Sequence, residues 1–248
     1  MLIVLPPSET KRAGGTGSPL ELDRLSFASL NPVRAQIARD LSALPVDRAI
    51  EVLKISARLR AEAQANTELF SSPTMPAIER YTGVLFDALD AASLPAAARS
   101  RITIGSALFG VVAAHDLIPH YRLSGTTKLP RPDGTTPTMK ARWTPLLTEA
   151  LSGCDGLIVD LRSGAYQQLG PVPGALTVRV ESVRPDGSRK VVSHFNKRYK
   201  GQLARALALA PTPAETPDEV AAIAEQAGLT VEHSGPTQLT VVVAGDPA

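Results

Sequence analysis

Ser8, Glu9 and Lys11 stand within four positions of one another, directly after Leu2-Ile3-Val4-Leu5-Pro6-Pro7. A hydroxyl, a carboxylate and an ammonium at that spacing can bind an anion, hold a proton or supply a nucleophile. Two later segments repeat the arrangement. Ile102-Thr103-Ile104 runs into Gly105 and Ser106, and Leu157-Ile158-Val159 runs into Asp160, Arg162 and Ser163. Short apolar runs bounded by turn residues read as buried strands, and ligands collect where such strands end in α/β sheets. If the three strands are neighbours with one direction, their exits line one crevice. If they are not, these are three unrelated surface turns.

Two further clusters carry polar chemistry. His115-Asp116-Leu117-Ile118-Pro119-His120-Tyr121-Arg122 sets a tyrosine beside an arginine. Asp116 and Arg122 could form a plain salt bridge, or Arg122 could offer its planar fork to a carboxylate or phosphate. Ser193-His194-Phe195-Asn196-Lys197-Arg198-Tyr199-Lys200 belongs to a basic stretch. From Arg184 to Arg205 there are seven basic residues (184, 189, 190, 197, 198, 200 and 205) and one acid, Asp186. Such a run is a solvated basic face or a phosphate-binding patch, with Phe195 and Tyr199 available for stacking on bases.

The elements that must position these groups can be read from periodicity. Asn31-Pro32 opens a helix through Val33, Ile37 and Leu41, with proline in its first turn. Pro45 to about Leu69 and Pro76 to Leu89 carry apolar residues at helical spacing. Arg101 to Gly110 reads as a strand, a glycine turn and a helix start, and Pro145 to Leu151 as a short helix. Ser163 is placed to cap the turn after the third strand. Ala175–Val183, Asp186-Gly187 and Arg189–Phe195 form a predicted hairpin. Lys200 to Leu209 is a helix. Thr216-Pro217-Asp218-Glu219 is a capping box opening the next one, and Leu229–His233 and Gln238–Ala244 end the chain as strands. Loops fall at 12–19 and 126–137. The expected fold is therefore α+β, a single compact domain over residues 1–248 with a mixed sheet and surrounding helices. Strands and helices do not alternate regularly, so a doubly wound parallel sheet is not expected.

Composition narrows the class. The chain has 248 residues, 44% hydrophobic but only 4% aromatic, so alanine, leucine and valine must build the core. No stretch of about 18 apolar residues occurs, and Leu2–Leu5 is too short for a signal-peptide core, so a cytoplasmic protein with no membrane partner is expected. Cys154 is the one cysteine, which excludes an internal disulfide and reads as a structural thiol. His115, His120, His194 and His233 make no zinc, haem or iron–sulfur ligand set, so no metal and no cofactor are expected. His115, Asp116 and His120 have the right types for iron but no regular spacing. There is no phosphate loop, no dinucleotide fingerprint and no Gly-x-Ser-x-Gly elbow. The net charge of +2 permits nucleic-acid binding without demanding it.

Several of these segments, taken in order, resemble the YaaA family of the bacterial peroxide-stress response. The resemblance lies in Leu5-Pro6-Pro7-Ser8-Glu9-Thr10-Lys11, in Arg80-Tyr81-Thr82-Gly83-Val84-Leu85-Phe86-Asp87, in Ser106-Ala107-Leu108-Phe109-Gly110 leading to Asp116-Leu117-Ile118-Pro119-His120-Tyr121-Arg122-Leu123, in Asp160-Leu161-Arg162-Ser163-Gly164-Ala165-Tyr166, and in His194-Phe195-Asn196-Lys197-Arg198-Tyr199-Lys200-Gly201. No block is specific alone; five in order are. The resemblance implies an unusual single-domain α+β fold, a role in limiting free iron under peroxide stress, and double-stranded DNA as a partner. It also implies a site lined by Ser8, Lys11, Tyr81, Thr82, Gly83, Tyr121, Arg122, Ser163 and Lys197. Two departures stand out. Lys200-Gly201 replaces the family's Arg-Gly, and Val112-Ala113-Ala114-His115 lacks its arginine–proline pair, which removes a phosphate fork. The alternative is an enzyme of specialised metabolism acting on a nucleotide or other anionic small molecule. Its candidate catalytic residues are Lys11, Lys197 and Tyr121. Its candidate substrate-binding residues are Ser8, Glu9, Tyr81, Thr82, Gly83, Ser106, Arg122, Arg162, Ser163 and Lys200.

Overall fold

A computed structural model describes residues 1–184, 187–191 and 196–244. Eight strands form one mixed sheet: β1 (Leu2–Leu5), β3 (Ile102–Ser106), β4 (Gly110–Ala113), β6 (Ile158–Asp160), β7 (Leu176–Val183), β8 (Arg189–Val191), β9 (Thr230–Gly235) and β10 (Gln238–Ala244). Their order is β4-β3-β1-β6-β7-β10-β9, with β8 paired to the far end of β7. A separate two-stranded ribbon joins β2 (Met75–Pro76) to β5 (Leu117–Ile118). The helices are α1 (Asn31–Ser42), α2 (Val46–Leu53), α3 (Arg60–Ala65), α4 (Ala77–Arg80), α5 (Val84–Leu89), α6 (Ala96–Arg99), α7 (Met139–Trp143), α8 (Leu146–Ser152), α9 (Gly164–Gln167), α10 (Asn196–Leu209) and α11 (Pro217–Gln226).

The mixed sheet with surrounding helices agrees with the sequence reading, but its centre is more parallel than irregular alternation suggests. β3, β1, β6, β7 and β10 pair in parallel, while β4, β8 and β9 are antiparallel additions. The stretch between β1 and β3 folds into six α-helices and the first strand of the small ribbon, which hides a strand–helix–strand unit inside a long crossover. Ile3, Val4 and Leu5 are all fully buried, so both faces of β1 are covered, as parallel strands require. β7 alternates instead, with Leu176, Val178 and Val180 inward and Arg179 outward, because one of its faces meets solvent. α10 packs on β1 and β7 and presses closely against α5. That approach depends on Gly201, where a Cβ would stand 2.3 Å from the Leu85 carbonyl oxygen.

Local chemistry corrects several expected elements. Pro76 to Leu89 is two helices, broken at Tyr81-Thr82-Gly83. There the backbone leaves the helix to pair with the β1 exit: Thr82 N–H donates to Thr10 O at 3.2 Å and Arg12 N–H to Arg80 O at 2.8 Å. Gly83 then turns at φ +99°, a conformation closed to most L side chains. Pro45 to Leu69 likewise breaks after Leu53, where Lys54 takes a left-handed conformation, φ +53°. The predicted helix start after Gly105 is instead β4, because Gly110 turns at φ +72° under Trp143 and Val111-Val112 return antiparallel to β3. The β7–β8 hairpin forms, closed through Gly187; Asp186, Ser193, His194 and Phe195 lie outside the described residues. The capping box is present, with Glu219 N–H donating to the Thr216 hydroxyl.

Candidate functional site

The three strand exits do meet. β1 lies between β3 and β6, parallel to both, with Leu5 level with Ile104 and Val4 level with Asp160. The chain leaves β1 toward β3 on one side and returns to place β6 and then β7 on the other. The C-terminal edge between β1 and β6 is thus a topological switch point, where open α/β sheets leave a crevice.

Pro6-Pro7 end β1, and the chain curls so that Lys11 points back under its own turn. Its ammonium donates to Ser8 O at 3.0 Å. It lies 4.5 Å from the ring centroid of Tyr121 and 5.4 Å from that of Tyr81. Burial lowers its pKa from 10.5 to about 8; the negative charge of Glu9 opposes that fall and Arg122 adds to it. Beneath it three hydroxyls form a chain. Tyr81 Oη and Tyr121 Oη are 2.7 Å apart, and Tyr121 Oη and Ser106 Oγ are also 2.7 Å apart. Ser106 Oγ accepts the N–H groups of Leu108 and Phe109, so it turns its proton toward Tyr121. Burial holds both phenols neutral, pushing Tyr81 up to about 12 and Tyr121 further in the same direction. The result is an ammonium that holds its proton less tightly than a free lysine, stacked over a line of protonated hydroxyls.

Beside this cluster is a cavity of about 300 Å³ lined by Ser8, Glu9, Thr10, Thr82, Gly83 and Lys197, with an apolar wall of Leu85 and Phe86. Lys197 is exposed at its rim. Ser8 and Thr10 hydroxyls lie 3.1 Å apart and close to Gly83, where a Cβ would come within 3.3 Å of Thr10 Oγ1. Arg122 grips Glu9 twice, from Nη2 to the carboxylate at 2.9 Å and from Nη1 to the backbone oxygen at 3.0 Å. Arg122 therefore joins the β1 exit, and Asp116 does not partner it. Asp116 is buried and accepts from Ser26 N–H, Ser26 Oγ and Ala113 N–H.

The β6 exit serves as framework. Arg162 is buried, forked onto Asp160 at 2.9 and 2.8 Å, and donates to Gly170 O. Lys200 reaches down from α10 to Leu161 O at 3.0 Å, and burial lowers its pKa to about 8. Both cations are spent inside the protein. Ser163 stands exposed at the start of α9 with no side-chain cap bond, contrary to the expected capping role; its carbonyl accepts the following N–H groups instead. Lys11, Tyr81, Tyr121 and Ser106 thus share one cluster. Ser8, Glu9, Thr82, Gly83 and Lys197 share the adjoining cavity, and Arg122 bridges to it. Arg162, Ser163 and Lys200 lie at the neighbouring strand end.

Sequence reasoning missed two buried cations that shape this region. Arg80 donates to Ile118 O and Arg12 O, tying α4 to both sides of the site. Arg34 donates to Phe109 O and Val111 O, fixing the β3–β4 turn that carries Ser106. Both arginines sit in helical patterns, Arg80 directly after Glu79, and nothing in those patterns signals that backbone carbonyls rather than acids will take their donors. The basic segment is less open than its composition suggests: Arg189 pairs with Glu232, Arg205 with Asp90, and Lys200 is buried, leaving Arg184, Lys190, Lys197 and Arg198 toward solvent. Among the described residues no three His, Cys, Asp or Glu side chains gather closely enough to hold a metal. Cys154 is half-buried, donates to Ala150 O and has its pKa raised by burial, as a structural thiol would. No helix among the described residues is long and apolar enough to cross a membrane.

Comparison with known proteins agrees with the resemblance. The family model described as "Peroxide stress protein YaaA" matches residues 1–234. A UPF0246 protein of Corynebacterium efficiens is 66% identical over 232 residues, covering 94% of this chain and 95% of its own length. A relative in Corynebacterium glutamicum is 62% identical over 94% of this chain and 96% of its own. One in Streptomyces coelicolor is 41% identical over 96% and 94%. The chain with this switch-point cluster belongs to the YaaA family of peroxide stress proteins.

Proposed function

We propose that this protein acts in the cytoplasm during peroxide stress, binding duplex DNA and holding down free iron. The match to the peroxide-stress family over residues 1–234 carries this reading. The solvent-facing cations Arg184, Lys190, Lys197 and Arg198 support its DNA part, since sequence-independent binding needs only positive charge along a phosphate track. Fluorescence anisotropy on a labelled duplex tests it. Affinity that is independent of sequence and falls steeply with salt is expected; no binding at low salt removes the DNA part. Growth under peroxide with and without the gene, with free iron measured in both, tests the rest.

A second reading is favoured by Lys11. A buried ammonium without an ion-pair partner among the described residues, over two neutral phenols and beside a cavity, is suited to take a proton from a bound ligand. On this reading the protein is an enzyme acting on a nucleotide or other anionic small molecule. Lys11 is the base, Tyr121 relays or donates a proton, and Lys197 and Arg122 hold negative charge. Lys11→Met abolishing turnover with no loss of Tm supports it; full turnover in that variant ends it.

A further inference from the structure

Glu9 lines a second cavity as well as the first, and there it meets Arg122. It measures about 620 Å³, and its charged lining consists of Arg48, Glu51, Lys54 and Lys128 in addition to that pair. Both acids are already engaged, Glu51 by Arg48 at 2.6 Å and Glu9 by Arg122 at 2.9 Å. Lys54 and Lys128 form no ion pair among the described residues, so the space between them carries unbalanced positive charge. We propose that this cavity seats the diphosphate group of a ligand whose other end enters the smaller cavity beside Lys11, with which it shares Glu9. The proposal rests on the small-molecule reading of that pocket.

Four features fit a diphosphate. First, Lys54 holds φ +53° at the end of α2, the position where glycine relieves strain, and from there it lines the cavity. Second, Ser124, Thr126 and Thr127 also line the cavity and carry hydroxyl groups; Ser124 Oγ and Thr126 Oγ1 are 3.1 Å apart. Third, the loop carrying them is fixed from below. Gly125 N–H donates to Tyr166 Oη at 3.2 Å, and a Cβ at Gly125 would press within 3.3 Å of that ring. Tyr166 sits on α9, the helix that follows β6. Fourth, the Arg122 backbone is pinned by the buried Asn66, which accepts its N–H at 2.8 Å and donates to its carbonyl at 2.9 Å. A pre-set arginine, two unpaired lysines and fixed hydroxyls are a polyphosphate donor set. Val52 and Ile55 add an apolar strip against which a ring could lie.

Calorimetry at low salt tests this with pyrophosphate, ADP, AMP and adenosine. The full chain should bind pyrophosphate and ADP and bind AMP at least tenfold more weakly. The variant Lys54→Gln with Lys128→Gln should lose at least tenfold in pyrophosphate affinity with an unchanged Tm. Pyrophosphate bound equally well by that variant, or not bound by the full chain, overturns the proposal. ADP binding tighter than pyrophosphate supports a nucleoside-borne diphosphate over a free one. Lys11→Met separates the two readings: pyrophosphate binding should survive in it, so loss of turnover there with binding intact keeps the diphosphate seat and the Lys11 role distinct.

Discussion

The ammonium of Lys11 sits 4.5 Å over the ring of Tyr121, whose hydroxyl is itself held between Tyr81 and Ser106. The face of the phenol offers Lys11 partial negative charge but no site for its proton. The cost of burying the ammonium is therefore only partly offset, and its pKa falls from 10.5 to about 8.

Stability should rise with alkali and then fall. Lys11 and Lys200 each have a folded pKa lowered from 10.5 to about 8. Between those values the unfolded chain holds more protons than the folded one, so unfolding becomes harder as pH rises. Above about pH 10 the sign reverses, because Tyr81, Tyr121 and Tyr166 keep protons that the unfolded chain has lost. Urea unfolding from pH 7 to 11 should show a maximum near pH 10. Lys11→Met should gain about 1–3 kcal/mol at pH 7 and flatten the rising limb. A limb that Lys11→Met leaves untouched contradicts the burial argument.

Tyr121→Phe removes the hydroxyl shared by Tyr81 and Ser106 and leaves both polar atoms buried. A loss of about 1–2 kcal/mol is expected from chemical denaturation at constant m-value. The Lys11 pKa, followed by pH-dependent amine labelling, should move little, since the aromatic ring remains.

Asp160→Asn strips Arg162 of its buried carboxylate. A loss of about 3–5 kcal/mol is expected, far above the cost of breaking an exposed pair such as Arg48–Glu51. Matching urea midpoints for the two variants would show that the β6 exit is not a framework.

Gly201→Ala gains helix propensity in α10 but drives a methyl group into the Leu85 carbonyl. The clash should win, at about 2–3 kcal/mol net. Because α5 begins at the Gly83 rim of the cavity, ligand affinity should fall along with Tm.

If duplex DNA binds, about four phosphate contacts from Arg184, Lys190, Lys197 and Arg198 predict a log–log salt slope of about −3 to −4. Lys197→Gln with Arg198→Gln should reduce that slope by about two. An unchanged slope places the DNA elsewhere.

The strand exits were legible because apolar runs that stop at proline, glycine or an acid leave a plain mark in sequence. The parallel pairing of β1 with β3 and β6 was not, since nothing local to Leu2–Leu5 names partners so distant. The break at Tyr81-Thr82-Gly83 was hidden by apolar spacing that continues through it; only pairing with Thr10–Arg12 pulls it out of helix. Ser106, Tyr81 and Tyr121 could be chosen one by one as polar candidates, but a chain of hydroxyls depends on three side chains meeting in space. Arg162 and Lys200 looked like ligand groups because sequence shows a charge and conceals the carbonyls that consume it.

The position of β1 has a consequence for how the chain reaches its native state. Ile3 waits for Ile102 on one side and Val159 on the other. Closures of that length are slow, and until both are made Leu2–Leu5 is a bare, sticky edge open to any passing strand. A nascent chain halted short of Asp160 cannot complete the sheet's middle, so it would be a client for chaperones rather than a partly working protein.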